Sequence, residues 1–142
     1  MYGKANEQAL ASGIIVETSG DHLSRELKNN LEDRLNPGGR LPARPAYRLS
    51  VTLGTTVEGM GVGRDGSVSR YNVTLASNYT LVDLADNRVV QRGELKHVSS
   101  YNNVSNQYFS TTISERDSMK RGIVELAELY RQRVGSWLVT QG

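Results

Sequence analysis

Cysteine is absent from the 142 residues, and proline occurs three times. No cysteine means no disulfide, no thiolate nucleophile and no cysteine-ligated metal. It leaves the compartment open, because cytosolic and periplasmic chains can both lack it. Aromatics are sparse, with seven tyrosines, one phenylalanine and one tryptophan, too few for rows of base-stacking platforms. The two histidines, His22 and His97, lie far apart without acidic partners at ligand spacing, so no metal site is expected. Long apolar runs are missing too: Ile14-Ile15-Val16 is strand-sized, far below the roughly 20 residues that cross a bilayer. Charge of one sign is also missing. Seventeen basic and 15 acidic residues interleave to a net +2, with no block resembling a nucleic-acid arm. No leader follows Met1, where Tyr2-Gly3-Lys4 enters polar sequence directly.

What is present suits an ordinary globule: 37% apolar and 23% charged residues over a length natural for one domain, taken as 1–142. Residues 12 to 18 form a short first strand between Gly13 and Gly20. Asp21 is a good N-cap, and Leu23, Leu27, Leu31 and Leu35 share one helical face. Asn36-Pro37-Gly38-Gly39 ends that helix. From Ala46 the period becomes two. Tyr47, Leu49, Val51, Leu53 and Val57 alternate with Arg48, Ser50, Thr52 and Thr56, a half-buried strand. Gly59 to Ser67 reads as a glycine-rich turn. Tyr71, Val73, Leu75, Tyr79 and Leu81 then alternate with Asn72, Thr74, Asn78 and Thr80. Asp86-Asn87 marks a tight turn, and Val89 to Tyr101 returns with poorer alternation, as an edge or bulged strand would. Asn102 to Thr112 reads as an ordered loop. Ser114 caps a final helix, with Asp117 as capping-box partner. Met119, Ile123, Leu126, Ala127, Tyr130, Val134, Trp137 and Leu138 form its inner stripe, and Gly122 would permit close packing.

The order is β-α-β-β-β-α. One-sided strands and two one-sided helices predict an α+β two-layer sandwich, a four-stranded sheet with both helices on one face. The last helix, about as long as the longest strand, should lie along the sheet.

Little in this order speaks of catalysis. Gly59, Gly61, Gly63 and Gly66 lie between strands, not between a strand and a helix, and lack the Gly-Lys-Ser/Thr of a phosphate loop. A flexible hairpin is expected, one able to insert into a partner. No Gly-x-Ser-x-Gly elbow singles out a serine. Glu115 and Asp117 are explained by capping and the helix dipole. The Asn72, Asn78 and Asn103 glycosylation patterns read as outward-facing sheet and loop residues. No catalytic residue, metal or cofactor is therefore expected. The basic residues Arg64, Arg70, Arg88, Arg92 and Lys96 could gather at one edge of the sheet, where arginine suits bidentate capture of phosphate. The alternative is a solvated face with scattered charges.

Several phrases resemble the LptE (RlpB) family. Tyr2-Gly3 is similar to a Leu-Tyr-Gly phrase that follows the lipid-bearing cysteine in that family. Tyr47-Arg48-Leu49-Ser50-Val51 resembles its second strand. Residues 71–83 resemble its third, with the pattern Ala76-x-x-Tyr79-x-Leu81-x-Asp83. Residues 106–111, followed by Glu115-Arg116-Asp117, are similar to the entry into its last helix. The resemblance covers nearly the whole chain. It implies a periplasm-facing lipoprotein of the outer membrane that plugs the LptD β-barrel and helps lipopolysaccharide reach the surface. Met1 is then a start placed after a removed leader and lipidated cysteine, so attachment is expected through an N-terminal lipid absent from this chain. Family motifs map no lipopolysaccharide contacts onto it. Arg64, Arg70, Arg88, Arg92 and Lys96 are expected contacts from charge and position alone, and Gly59, Gly61, Gly63, Arg64 and Gly66 are the expected barrel-contact loop. Two other classes compete. A double-stranded RNA module shares α-β-β-β-α order, but its last helix should open on a basic cluster, where this chain has Ser114-Glu115-Arg116-Asp117. An unrecognised α+β enzyme would need a pocket of ionisable groups.

Overall fold

The computed structural model describes residues 13–36, 44–62, 68–102 and 108–141. Its elements run β1 (Ile14–Thr18), α1 (His22–Leu35), β2 (Tyr47–Val62), β3 (Val68–Asp83), β4 (Arg88–Asn102) and α2 (Tyr108–Gln141). The sheet order is β1-β2-β3-β4, with β1 parallel to β2 and the other pairs antiparallel. This is the expected α+β sandwich.

In α1 the Asp21 carboxylate accepts from the Ser24 N–H at 3.2 Å, satisfying one orphan donor of the first turn. Leu27, Leu31 and Leu35 are fully buried against the sheet, and Leu23 packs partly against it. The helix stops at Asn36, whose side chain turns back to β1. Its Oδ1 accepts from the Ile14 N–H at 2.9 Å and its Nδ2 donates to the Ile14 carbonyl at 3.0 Å.

The β2–β3 hairpin is longer than its sequence suggests. Gly59 and Met60 still pair with Tyr71 and Arg70, and Val62 with Val68, so residues 59–62, the first part of the expected turn over Gly59–Ser67, are strand. The alternating Val, Leu and Tyr rows fix the register, and the ladder then propagates across the glycines. Gly63, Arg64 and Gly66 of the expected contact loop lie outside the described residues, as does Asn103. Val57 was expected on the buried face. It is 40% exposed, because it stands well past the end of β1, which stops opposite Val51. The Asp86-Asn87 turn forms, with Asn87 at φ 61° and its N–H donating to the Asp83 carbonyl at 2.8 Å. Strand β4 is an edge strand, and its register shifts where Leu81 faces Gln91 and Val82 faces Val89, leaving Val90 as the bulged residue.

The final helix begins at Tyr108, so residues 108–112 are helix, not loop, and Ser114 is internal, not a cap. No glycine or proline interrupts residues 108–113, and each Ser or Thr there costs only a few tenths of a kcal/mol, so the helix extends. Asp117 pairs with Arg121 at 3.5 Å instead of closing a capping box. Helix α2 runs diagonally over the sheet. Ser118 meets Ser99 on β4 (2.9 Å between hydroxyls), Tyr130 meets Ser77 on β3 (2.6 Å), and the Trp137 ring sits edge-on to Tyr47 on β2 at 6.1 Å. Gly122 is where the helix comes closest: a Cβ there would lie 2.8 Å from Leu75 Cδ1 and 3.3 Å from His97 Nδ1.

The helices are also tied to each other. Glu128 accepts from Arg131 at 2.6 Å and faces Arg34 of α1 at 3.5 Å. The Arg131 guanidinium, with Arg34 behind it, holds the Glu128 carboxyl below its ordinary range against a smaller opposing effect of desolvation. Its stabilisation is complete above the unfolded value near 4.5 and is lost as pH falls through the lower folded value. Because Glu128 is 37% exposed, Glu128→Gln is expected to cost under about 1 kcal/mol at neutral pH. Urea titrations should show that difference closing as the pH falls through the acid range.

Candidate functional site

Strand alternation splits the sheet into two chemistries. The inner rows carry Leu49, Val51, Val73, Leu75, Tyr79, Leu81 and Leu95, all buried beneath the helices. The outer rows are polar and small. Across β2, β3 and β4 they read Ser50-Thr80-Arg92, Thr52-Asn78-Glu94, Gly54-Ala76-Lys96 and Thr56-Thr74-Val98. Hydroxyls and amides predominate. A shallow cavity of about 410 Å³ lies where β1 stops, lined by Glu17, Thr18, Ser19, Ser50, Thr52, Asn78 and Thr80 among others. A second, of about 430 Å³, lies between the helices beside His22, Glu26, Arg116 and Lys120. In it the His22 ring stands 3.1 Å from the Glu26 carboxylate, a local i,i+4 pair. Among the described residues, no group of three or more His, Asp or Glu side chains converges as metal ligands would.

The expected basic set does not converge on one point. Arg92 and Lys96 share the outer face of β4, roughly 13 Å apart along the strand. Glu94 stands between them and pairs with Lys96 at 3.0 Å. Arg92 has no ion pair with a described residue. Arg88 lies past the bulge, exposed, with Asp86 at 4.0 Å. Arg70 is exposed near the hairpin tip, opposite Met60 and Asn102, roughly 20 Å along β3 from the residue that faces Lys96. Gly59 and Gly61 belong to the β2 end that leads into the tip. Two polar features escaped the sequence reading: the Asn36 clasp on β1, and a buried chain in which Tyr130 donates to Ser77 and Ser77 to the Leu95 carbonyl at 2.8 Å. A lone Asn after a helix and a lone Ser in an apolar row were the signals available.

The LptE family, described as Lipopolysaccharide-assembly, matches residues 8–134. The chain belongs to the LptE family. No curated protein matches it by sequence. Solved structures similar to this LptE chain include a candidate lipoprotein from Caulobacter crescentus CB15, at TM-score 0.74 and 20% identity over 96% of this chain and 97% of that one. Rare lipoprotein B from Shewanella oneidensis follows at TM-score 0.70 and 12% identity, covering 90% and 97%. A minor lipoprotein from Acinetobacter baumannii has TM-score 0.64 and 13% identity, covering 87% and 90%. At such identities the shared property is the fold: a sheet of this order under two helices. LptE is a lipopolysaccharide-assembly family, not an enzyme family. No helix among the described residues is long and apolar enough to cross a membrane.

Proposed function

We propose that this LptE chain is the periplasm-facing body of an outer-membrane lipoprotein that plugs and stabilises the LptD β-barrel and assists delivery of lipopolysaccharide to the surface. The family match across residues 8–134 carries this reading. The physical design supports it. Wide membrane barrels have polar interiors, and a body resting in one needs a rigid core and a polar, hydrogen-bonding exterior. The Ser, Thr and Asn rows of the outer sheet face supply that exterior, while one continuous apolar cluster holds sheet and helices together. Attachment would be through an N-terminal lipid, and no cofactor or nucleic acid is involved.

Co-expression of lipidated full-length protein with LptD is the test. The two should co-purify from outer membranes as a stable complex, and failure to recover the barrel would overturn the reading. Arg64, Arg70, Arg88, Arg92 and Lys96 are the proposed lipopolysaccharide contacts, and Gly59, Gly61, Gly63, Arg64 and Gly66 the loop that enters the barrel. A charge-assisted bond to a phosphate is worth roughly 1.5–3 kcal/mol. Arg92→Glu with Lys96→Glu is therefore expected to weaken lipopolysaccharide binding at least roughly tenfold, with the deficit shrinking in high salt. Unchanged affinity would remove these two residues from the contact surface.

A further inference from the structure

The first and second strands differ greatly in length. Strand β1 pairs with β2 only from Tyr47 to Val51, whereas β2 continues to Val62. From Thr52 onward, β2 has β3 on one side and no neighbouring strand among the described residues on the other. The Tyr47 N–H donates toward β1, to the Gly13 carbonyl at 3.3 Å. Backbone groups alternate sides along a strand. Leu53, Thr55, Val57 and Gly59 therefore turn an N–H and a C=O each to the open edge, while Thr52, Gly54, Thr56 and Glu58 turn theirs to β3.

Unpaired edges are normally blunted by charge, bulges, proline or a cover. The sheet's other edges obey this rule over part of their length. The Asn36 side chain occupies both backbone groups of Ile14 on the outer side of β1. Strand β4 carries Arg88, Arg92, Glu94 and Lys96 and a bulge at Val90. The open stretch of β2 has one charge, Glu58, no proline and no bulge. Residues 52 to 59 are exposed except for half-buried Leu53. Gly54 has no positive φ, and a Cβ there would meet nothing nearer than the Ala76 carbonyl at 3.9 Å. Nothing among the described residues requires glycine there, whereas a strand glycine suits the close approach of another backbone. The cavity of about 410 Å³ lies at the step where β1 ends, at the head of this edge.

We infer that the β2 edge from Leu53 to Gly59 is a strand-addition site that receives an extended segment of the barrel partner. This rests on the reading given under Proposed function and specifies how that partner docks. The edge continues along β2 to Val62, toward the glycine-rich segment proposed to enter the barrel, so one partner can engage both. Pairing supplies main-chain hydrogen bonds, and alternate side chains supply selectivity. On the inner side the incoming strand would lay apolar residues beside Leu53 and Val57, which is 40% exposed. On the outer side it would meet Thr52, Gly54 and Thr56 with small polar residues, and a basic residue would suit Glu58.

Hydrogen exchange read at single amides tests this on the isolated chain and on the co-purified complex with LptD. In the isolated chain the Leu53, Thr55, Val57 and Gly59 amides should exchange fast and those of Gly54, Thr56 and Glu58 slowly. In the complex the fast set should slow by at least roughly tenfold. A complex in which those amides remain fast overturns strand addition and leaves the barrel reading standing. Failure of any complex to form overturns both. Protection already present in the isolated chain, with a dimer by sedimentation, assigns the edge to a second copy and overturns the inference. Thr55→Pro removes an edge N–H without touching the β3 ladder, so it should abolish co-purification while the circular dichroism spectrum is retained. Thr56→Pro, which breaks a β3 bond, should instead lower thermal stability. Undiminished co-purification of Thr55→Pro would also sink the proposal.

Discussion

Asn36→Ala is expected to lower the thermal midpoint by roughly 10 °C, from the loss of one short side chain. Asn36 is 4% exposed and makes two bonds of opposite sense to one residue, accepting from the Ile14 N–H and donating to the Ile14 carbonyl. In effect the amide replaces a missing neighbouring strand on the outer side of β1. Alanine leaves both backbone groups without a partner, and each such loss costs about 1–3 kcal/mol. Partial hydration of an edge strand reduces the sum to about 3 kcal/mol, which sets the shift in midpoint for a chain of this length. Asn36→Asp makes a sharper test. Its carboxylate can still accept from the N–H but faces the Ile14 carbonyl with negative charge inside a buried site. The folded state therefore prefers the protonated acid, whose O–H can donate, and the folded pKa is raised above the unfolded one. For an acid shifted upward, stability is highest below the unfolded value and falls as pH rises above it. Asn36→Asp should accordingly approach the natural protein near pH 4 and fall to or below the alanine variant at neutral pH. Chemical denaturation at the two pH values checks this, with Asn36→Ala showing no such pH dependence relative to the natural protein. Equal behaviour of the two variants at both pH values would mean that the clasp is dispensable.

That clasp also marks the limit of what the sequence made legible. Periodicities of two and of 3.6 residues located both helices, β2 and β3, because burial on one face acts on every second or every third to fourth residue along a whole segment. Strand β1 was marked instead by a short apolar run between glycines, and β4 by the turn before it. The Leu23–Leu35 stripe and the Tyr71–Leu81 row needed nothing else. Element ends were harder, since they depend on single residues. Nothing in Tyr108 to Ile113 stops the last helix, and the glycines of Gly59 to Gly61 do not stop a ladder whose register is already fixed. Chemistry between elements was least legible. Arg88, Arg92 and Lys96 are close in sequence, but alternation, Glu94 and the Val90 bulge decide what each faces. The open β2 edge follows from a difference in length between two strands, a comparison that composition and motif do not express. Its proposed role depends on a partner outside the chain.

The other large effect expected lies at the centre of the core. Tyr130 is fully buried and sets its ring edge-on to Tyr79, with centroids 5.3 Å apart. Ser77 has one proton and gives it to the Leu95 carbonyl at 2.8 Å, so the 2.6 Å contact between hydroxyls must have Tyr130 as donor. Tyr130→Ala removes both ring and chain and should cost about 3–5 kcal/mol. The smaller variants are more informative. Tyr130→Phe keeps the ring and leaves Ser77 its bond to Leu95, for an expected cost near 1 kcal/mol. Ser77→Ala strands the phenol without an acceptor in a dry core and should cost about 2–3 kcal/mol. The double variant removes the stranded group, so its cost should be less than the sum of the single costs by about 1 kcal/mol or more. Simple additivity would mean that the two hydroxyls are not coupled. Alkaline pH gives an independent reading. Burial, opposed by the Ser77 bond, drives the Tyr130 phenol well above its ordinary value of 10.0. A raised acid loses stability as pH rises beyond the unfolded value, so the natural protein should weaken above about pH 10 more steeply than Tyr130→Phe. The ultraviolet signature of this tyrosinate should emerge only as the fold is lost, because a charge at that position would have to form where no water reaches.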